Sequence, residues 1–407
     1  MDVYLSIVNK SLVNFLIISN MDSLNAENKS DFLSFLSQLA SFTGDLSQLT
    51  CPAFLLNGIS LLEYSQHWCD HPNLLYDIAN PIHVTRADKM LAVVKWFIST
   101  LYGGYRSRCE NQSERKPFNP ILGEVFKAKW EDKDNNGWEE ASLVVEQVSH
   151  HPPISAFKVQ IPSKRIPSKP FITVYGHNGQ QTVFASAVKV TQVGRVRVVI
   201  QTDESEEIYT IYPLPELTIS GLLTGCLFIE PFGKTRIVCT DGSEANIEII
   251  AKGWFTGEYF QLKGDIKEDA SSVPTYIIGG NWAGLSTYTK DKSTKNLFDV
   301  KSQHAHPKTI PDLSQQLDNE SQKLWRPCIE ALKKTDYANA SLEKTKIEEA
   351  QRSIRKQRKE NKETWNPVHF EFVVASNPDE KSGATSRDPQ QSGGINQDQV
   401  GHWLPRG

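Results

Sequence analysis

The chain has 407 residues, of which 39% are hydrophobic and 23% are charged, and its formal net charge at pH 7 is −4. This composition is typical of a soluble globular protein with one large domain or two ordinary ones. The small negative charge excludes a global basic field that would attract nucleic acid or an anionic membrane, so such contacts require a local patch. The six cysteines are scattered without a CxxC pair, which favours reduced thiols over a disulfide framework.

The first segment, residues 1–30, is expected to be a poorly ordered extension. Its apolar stretch MDVYLSIVNKSLVNFLIISN is interrupted by Asn9, Lys10 and Asn14. No uninterrupted apolar run approaches the roughly 20 residues of a membrane span. The stretch also has neither the basic start nor the small-residue cleavage site of a secretory signal peptide.

An amphipathic helix is predicted over residues 31–45, because apolar residues recur at helical spacing opposite an uncharged polar face. Such a helix can bind a membrane through its apolar side, pack as an ordinary core helix, or cover a cavity. The residues that define its apolar face are Phe32, Phe35, Leu36, Leu39 and Phe42.

The pattern of the sequence then changes three times. Residues 46–115 have apolar positions at helical spacing and are predicted to form a helical subdomain. Residues 116–298 contain many short strand-like runs, among them TVFASAVKVTQV and RVRVVIQT, separated by Gly, Asn, Asp and Pro. Residues 299–375 are predicted to be a second helical subdomain, and the Ser-, Gly-, Gln- and Asp-rich residues 376–407 a disordered tail.

So many short strands without intervening helices predict an antiparallel meander, either a sandwich or a barrel, in a β-rich α+β fold. An open sheet of this size would have a long unpaired edge, and closing the sheet into a barrel removes that edge. A barrel of this size encloses a cavity rather than a packed core.

No motif in the chain predicts an enzyme, a metal site or a cofactor. EPFGKT lacks the first glycine of a phosphate-binding loop, and the sequence contains neither GxSxG nor HExxH. In HWCDH, Cys69 falls on the opposite side of a helix from His67 and His71. This segment is therefore interpreted as a helix end rather than a metal site.

The stretch EQVSHHPPISA places His150 and His151 directly before Pro152 and Pro153. Two imidazoles can bind a phosphate group, and the prolines reduce the backbone entropy that is lost on binding. A catalytic pair would need a carboxylate or a nucleophile in the same motif, and only Glu146 is near. A turn with solvent-facing histidines is the alternative interpretation.

Two further segments carry cations that suit an anionic ligand. In ERKPFNPILGEVF, Lys116 and Asn119 lie in a proline-punctuated loop, which is either a headgroup site or a structural turn. In the charged stretch SLEKTKIEEAQRSIRKQRKENKE, Lys344, Glu348 and Arg352 are spaced by four and share one helix face. This face is either solvated or part of a binding site, and the lack of aromatic interleaving argues against nucleic acid.

These stretches together resemble a known family. EQVSHHPPISA, at residues 146–156, resembles the signature of the oxysterol-binding protein-related family, and KPFNPILGE, at residues 116–124, resembles its second diagnostic stretch. The similarity extends through SFLSQLASFTGDLSQL, SLLEYSQHW, MLAVVKWFISTL and the charged helix, and covers residues 31–372. The chain is identified as a short fungal-type member that consists of the lipid-binding domain.

The resemblance implies an incomplete antiparallel β-barrel around an apolar tunnel, with residues 31–45 as a lid helix and helical subdomains at the flanks. It also implies phosphatidylinositol 4-phosphate as a ligand. By motif position, the residues expected to hold the 4-phosphate are His150, His151 and Arg352. Those expected to hold the phosphodiester and the inositol are Lys116, Asn119, Lys344 and Glu348.

The second ligand that the resemblance implies is a sterol. The residues that match the family's sterol contacts are Trp68, Tyr105, Asn178 and Gln192. Gly104, however, stands where a sterol-binding relative carries glutamine, which removes a polar partner near the sterol hydroxyl. Another lipid in place of the sterol is therefore the alternative.

The sequence thus predicts a non-enzymatic lipid transfer protein that exchanges phosphatidylinositol 4-phosphate for a sterol between membranes. It is expected to be cytoplasmic, with transient peripheral contact with organelle membranes and no nucleic-acid partner. A lipid sensor that regulates a partner protein is the alternative from another class. A phosphoinositide hydrolase would need a nucleophile or a metal set that the sequence lacks.

Overall fold

A computed structural model describes most of the chain from Cys51 onward. The described residues are 30, 34–35, 37–38, 51–109, 114–133, 137–163, 166–184, 187–201, 206–221, 227–253, 257–376, 384–386 and 400–406. The predicted extension therefore lies outside the described residues, apart from residue 30, and the predicted domain boundaries stay a prediction.

Nineteen strands are present among the described residues, in two small sheets and one large one. The strands are β1 (Leu56–Ser60), β2 (Lys116–Phe118), β3 (Val125–Trp130), β4 (Ala141–His150), β5 (Pro153–Ser163), β6 (Ile166–Phe184), β7 (Val188–Gln201), β8 (Glu206–Tyr212), β9 (Glu216–Ser220), β10 (Phe228–Cys239), β11 (Glu244–Ile250), β12 (Gln261–Lys267), β13 (Tyr276–Asn281), β14 (Leu285–Lys290), β15 (Ser293–Asp299), β16 (Lys308–Thr309), β17 (Phe370–Val374), β18 (Thr385–Ser386) and β19 (Val400–Pro405).

Within the described part of the chain, β3 to β16 form one antiparallel sheet of 14 strands. Its order is β15-β14-β13-β12-β11-β10-β8-β7-β6-β5-β4-β3-β16, and β9 pairs with both β10 and β7. The two edge strands, β15 and β16, are not paired with each other over the described residues. The predicted fold class, a β-rich α+β fold with an incomplete antiparallel barrel, is confirmed.

One strand prediction is wrong in detail. TVFASAVKVTQV reads as a single strand, but β6 ends at Phe184 and β7 begins at Val188. The chain reverses there, since Phe184 and Val188 lie opposite each other in the antiparallel pair. Alternation continues on both sides of so short a reversal, so the sequence pattern does not reveal it.

Apart from the residues of the predicted lid, the described α-helices lie between β1 and β2 and between β16 and β17 in the sequence. They are α1 (Pro72–Asp77), α2 (Arg86–Tyr105), α3 (Ser321–Leu324), α4 (Arg326–Lys333) and α5 (Tyr337–Asn361). The stretch SLLEYSQHW, predicted as helical, forms the 3-10 helix Leu61–Cys69, which begins with a capping box between Ser60 and Glu63. Among the described helices, none is long and apolar enough to cross a membrane.

The longest buried helix, α2, packs against one half of the large curved sheet. It begins with a capping box between Thr85 and Asp88, and Trp96 and Phe97 on its buried side are at most 1% exposed. It contacts β10, β11, β12 and β15. Because α2 packs against that half, its C-terminal end at Tyr105 projects toward the space under the other strands.

The described end of the predicted disordered tail is ordered, which corrects that prediction. Residues 400–405 form β19, which pairs with β17 and β18. Trp403 is 1% exposed and packs in a cluster with Phe370 of β17 and with Val148 and Ile154 of the large sheet. Because the tail is polar in composition, the sequence does not predict a buried residue there. The burial of its single tryptophan is seen only in the contact with the large sheet.

Candidate functional site

A large cavity lies between the concave side of β4 to β7, the C-terminal end of α2 and one face of α5. Its volume is about 1540 Å³. Apolar side chains line much of it, among them Phe97, Leu101, Phe157, Val190 and Leu217. A polar rim, here called the mouth, is lined by Lys116, Asn119, His150, His151 and the α5 residues Lys344, Glu348 and Arg352.

The two histidines lie at the tight turn between β4 and β5. His150 is the last residue of β4 and lies opposite Pro153, the first residue of β5, so His151 and Pro152 form the turn. The hydroxyl of Ser149 donates to the carbonyl of Pro152 at 2.7 Å and closes this turn. The two imidazole rings lie edge to face with centroids 4.6 Å apart. The turn therefore presents both rings at the mouth.

Glu146, the carboxylate of the same motif, has a structural role. It is fully buried, and its oxygens accept hydrogen bonds from the backbone N–H groups of Val368 and His369, each at 2.8 Å. Burial raises the pKa of Glu146, and these two hydrogen bonds act in the opposite direction. The carboxyl ties the segment that follows α5 to β4, which keeps the C-terminal end of that helix beside the histidines.

Lys116 and Asn119 lie on the next side of the mouth. Lys116 begins β2, and its Nζ donates to Oδ1 of Asn119 at 2.7 Å. Burial lowers the pKa of Lys116, and the nearby charge of Lys344 acts in the same direction. An anionic group placed between these two lysines would relieve their repulsion.

The cations of α5 share one face, as the spacing of four predicts. Nζ of Lys344 donates to Oε1 of Glu348 at 2.5 Å, and Arg352 lies 4.0 Å from the other oxygen of Glu348. Arg352 is 65% exposed, so its guanidinium is accessible at the mouth. The structure thus brings all seven residues of the predicted phosphoinositide site to one cavity.

The four predicted sterol contacts also line the cavity, and three of them are joined by hydrogen bonds. Nδ2 of Asn178 donates to Oε1 of Gln192 at 2.7 Å, and Nε2 of Gln192 donates to the hydroxyl of Tyr105 at 3.0 Å. The ring of Trp68 stacks on Phe157, with centroids 5.5 Å apart and planes inclined by 4°. Sequence reasoning missed Phe157, although it alternates with Pro153 and Ser155 on the cavity face of β5.

The adjacent glycines of α2 serve different purposes. A Cβ on Gly103 would lie 2.8 Å from Nδ1 of His67 and would overlap Oδ2 of Asp70, and these two atoms bond each other at 2.7 Å. A Cβ on Gly104 would meet no atom within 4 Å, and Gly104 lines the cavity. Gly103 therefore permits packing, whereas Gly104 leaves space.

Alanine at these two positions is expected to have different effects on the free energy of unfolding. Gly103→Ala should destabilise the protein by about 1–3 kcal/mol, because the His67–Asp70 pair must move. Gly104→Ala should be neutral or stabilise it by up to about 1 kcal/mol, because alanine favours helix and has room. Urea unfolding of both variants measures this, and a similar loss in both would contradict the assignment.

The KPFNPILGE stretch ends in a second buried carboxylate, Glu124. It is fully buried, and its two oxygens accept four hydrogen bonds from three separate parts of the chain. The donors are the hydroxyl of Ser60 at 2.5 Å, the hydroxyl of Ser321 at 2.7 Å, the backbone N–H of Ile121 at 3.1 Å and Nε1 of Trp325 at 3.1 Å. Burial raises the pKa of Glu124 to about 7, and the four hydrogen bonds oppose this shift.

The HWCDH segment holds no metal-type cluster. His67 pairs with Asp70, and His71 is buried edge-on against the ring of Phe298. Burial lowers the pKa of His71 to about 4. Over the described ranges, no group of three or more His, Cys, Asp or Glu residues is arranged to hold a metal ion.

Only part of the predicted lid helix is described. Residues 30, 34, 35, 37 and 38 are helical, and Phe35 lines the cavity. Phe35 also packs against a cluster that contains Cys51, Phe118 and Trp325. The other predicted lid residues, Phe32, Leu36, Leu39 and Phe42, lie outside the described residues.

The fold and the site define a β-rich tunnel protein with an apolar interior and a cationic mouth. The family model described as oxysterol-binding protein matches residues 34–388. Protein kes1 of Schizosaccharomyces pombe is 36% identical over 378 residues, which cover 91% of this chain and 94% of the relative. Protein KES1 of Mycosarcoma maydis is 36% identical over 343 residues, which cover 82% and 86%. The chain belongs to the oxysterol-binding protein family, as its motifs predict.

Solved structures have the same fold at lower identity. The ORD domain of Osh1 in complex with cholesterol has a TM-score of 0.68 at 23% identity, and the match covers 92% of this chain and 86% of that one. The ORD of Osh3 from Saccharomyces cerevisiae in complex with PI(4)P has a TM-score of 0.63 at 22% identity, with 84% and 87% covered. The fold of the chain is therefore shared with these domains.

Proposed function

We propose that this protein binds phosphatidylinositol 4-phosphate and a sterol, one at a time, in its cavity and exchanges them between membranes. One observation carries the proposal: seven polar residues from three distant segments meet at the mouth of a largely apolar cavity of about 1540 Å³. An amphiphile with an anionic head and apolar chains suits such a cavity. The complexes of related domains with PI(4)P and with cholesterol support the two ligand classes.

The phosphoinositide head would lie at the mouth. His150, His151 and Arg352 supply donors for the phosphate monoester, which carries a charge between −1.5 and −2. The nearby charge of Lys344 helps to lower the pKa of Lys116, and a phosphodiester between the two lysines would relieve this repulsion. Such charge-assisted donors offset the desolvation of a buried phosphate. The acyl chains would gain about 25 cal/mol per Å² of apolar surface removed from water.

The sterol would lie deeper, with its hydroxyl near the hydrogen-bonded group Asn178, Gln192 and Tyr105 and its rings beside Trp68. Gly104 widens the cavity beside Tyr105. This space favours, as a second candidate, a cargo that is bulkier than a sterol at its polar end. The mechanism has no covalent step, so the protein would not act as an enzyme.

The lid and the mouth suggest where transfer takes place. Phe35 contacts both the cavity and the cluster around Trp325, so moving the lid helix off the mouth would expose apolar surface that a membrane can cover. The basic end of α5 contributes Arg355 and Arg358 to the same rim. A cytoplasmic protein that docks transiently on organelle membranes fits these features.

A liposome exchange assay tests the proposal. Donor vesicles carry phosphatidylinositol 4-phosphate, acceptor vesicles carry a fluorescent sterol, and both fluxes are followed with less protein than lipid cargo. The expected result is that many lipids of both kinds move per protein, in opposite directions. Saturation at one lipid per protein would instead favour a lipid sensor, and phosphoinositide flux without sterol flux would favour the bulkier second cargo.

A further inference from the structure

Arg355 is not one of the seven residues of the predicted phosphoinositide site, but it contacts one of them, His151, directly. Its Nη1 lies 2.7 Å from Nε2 of His151, although the two residues are 204 positions apart in the chain. Both line the mouth of the cavity. Arg355 follows Arg352 by three positions on α5, so the two guanidinium groups share one helix face.

The chemistry of this contact determines where the proton of His151 lies. A guanidinium can only donate hydrogen bonds and does not lose its proton in proteins. Nε2 of His151 must therefore accept, so it carries no proton while Arg355 is bound to it, and the ring proton sits on Nδ1. In this state His151 cannot donate a hydrogen bond from Nε2 to a phosphate oxygen.

We propose that Arg355 holds His151 as an acceptor before cargo binds, and that a phosphate monoester displaces Arg355 and converts His151 into a donor by proton uptake at Nε2. This inference rests on the proposed function, because it needs a phosphate at the mouth. The proton comes from solvent, and Arg355 keeps its own charge throughout. Arg355 thus acts as a positioning residue that couples cargo capture to protonation.

The groups that share the cavity with His151 favour an anionic ligand beside it. Besides His67 and His150, the charged groups that line this cavity are Arg108, Glu114, Arg115, Lys116, Lys344, Glu348, Arg352, Arg355, Arg358, Lys359, Lys362 and Glu363. Cations outnumber carboxylates in this set, so the mouth attracts an anion. A phosphate dianion bound at the mouth places negative charge directly beside the ring of His151, which favours proton uptake there.

The first experiment measures protons taken up when a soluble short-chain phosphatidylinositol 4-phosphate binds. Calorimetric titration at pH 7.5 in buffers of different ionisation enthalpy gives this number, and most of the free phosphate is already the dianion at that pH. The expected uptake is close to one proton, with affinity falling about tenfold per pH unit above this pH. His151→Gln should reduce the uptake to near zero. Binding by the wild type without proton uptake would overturn the coupling and leave the proposed function intact, whereas absence of binding would overturn both.

The second experiment examines Arg355 in the ligand-free protein. Nitrogen NMR of ¹⁵N-histidine-labelled protein at pH 8 distinguishes the two neutral tautomers, and the His151 signal is assigned with His151→Gln. The wild type should show an unprotonated Nε2, and Arg355→Met should shift His151 toward the Nε2–H form. Lys356→Met is the matched control, because Lys356 is 78% exposed on the same helix and does not line the cavity. An unchanged His151 signal in Arg355→Met would refute the positioning role.

Discussion

Replacing both His150 and His151 with alanine is expected to weaken phosphatidylinositol 4-phosphate extraction more than about 100-fold. Each buried charge-assisted hydrogen bond is worth about 1.5–3 kcal/mol, and about 1.4 kcal/mol corresponds to a factor of ten. The two side chains project from a tight turn at the cavity mouth rather than from the packed core, so the fold should survive. Extraction is measured by sedimenting donor liposomes and quantifying the lipid that stays with the protein.

The separation of the two ligand sites is tested in the same variant. Sterol binding should be retained, because Asn178, Gln192 and Tyr105 form a separate hydrogen-bonded group. Equal loss of both ligands would argue against distinct sites. His304→Ala serves as a control, since this exposed histidine does not line the cavity.

Arg352→Ala should reproduce the loss of extraction from a position 201 residues or more away from either histidine in sequence. Lys356→Ala, which removes the same charge from the same helix outside the cavity, should leave extraction near the wild-type level. If both substitutions weaken extraction equally, the effect comes from the general charge of α5 rather than from a specific contact.

Replacing Glu124 with alanine is expected to lower the free energy of unfolding by about 4 kcal/mol or more. The substitution leaves four buried donors without their acceptor, at a cost of about 1–3 kcal/mol each. These donors come from three parts of the chain. Ser60 directly precedes the 3-10 helix Leu61–Cys69, Ile121 lies in the KPFNPILGE loop, and Ser321 and Trp325 lie in the C-terminal helical segment. The loss would therefore also loosen the attachment of α5 to the mouth. Urea unfolding measures the effect.

Glu124 also predicts how stability depends on pH. Its folded pKa of about 7 lies above the ordinary value of 4.5, so between these values the folded state keeps a proton that the unfolded chain has lost. The stabilisation is complete below pH 4.5 and is lost as the pH rises through 7, a change of about 3 kcal/mol at most.

Glu124→Gln isolates this effect because the amide does not titrate. Its oxygen can accept from Ile121 and Trp325, and its NH₂ group can donate to the serine hydroxyls. Unfolding free energies at pH 5, 6, 7 and 8 should therefore fall less steeply in this variant than in the wild type. Parallel slopes would mean that Glu124 is already ionised in the folded protein at pH 5.

Much of the mouth is predictable because its parts are local in sequence. The His-His-Pro-Pro stretch sets a turn by itself, and the spacing of Lys344, Glu348 and Arg352 sets a helix face by periodicity alone. The many short strand-like segments likewise predict an antiparallel sandwich or barrel. The family resemblance then joined these pieces into one site, which their separate patterns could not do.

Other features depend on contacts between segments far apart in the chain. Three such features are the burial of Trp403 in a polar tail, the His151–Arg355 contact and the four donors around Glu124. No local sequence pattern specifies the partners in these contacts. Gly103 and Gly104 are identical neighbours in the sequence, yet one faces the His67–Asp70 pair and the other faces open space.

The sequence by itself therefore determined the class of fold and the family, because side-chain periodicity and short motifs encode them locally, and the family resemblance assigned seven of the residues at the mouth. Only the tertiary structure decided which carboxylates are structural, which glycine leaves space in the cavity and which arginine holds His151. The physical reason is that burial, hydrogen-bond partners and local electrostatic fields arise from packing between distant segments. They arise only when the sheet has curved around α2 and α5 has packed beside the mouth of the cavity.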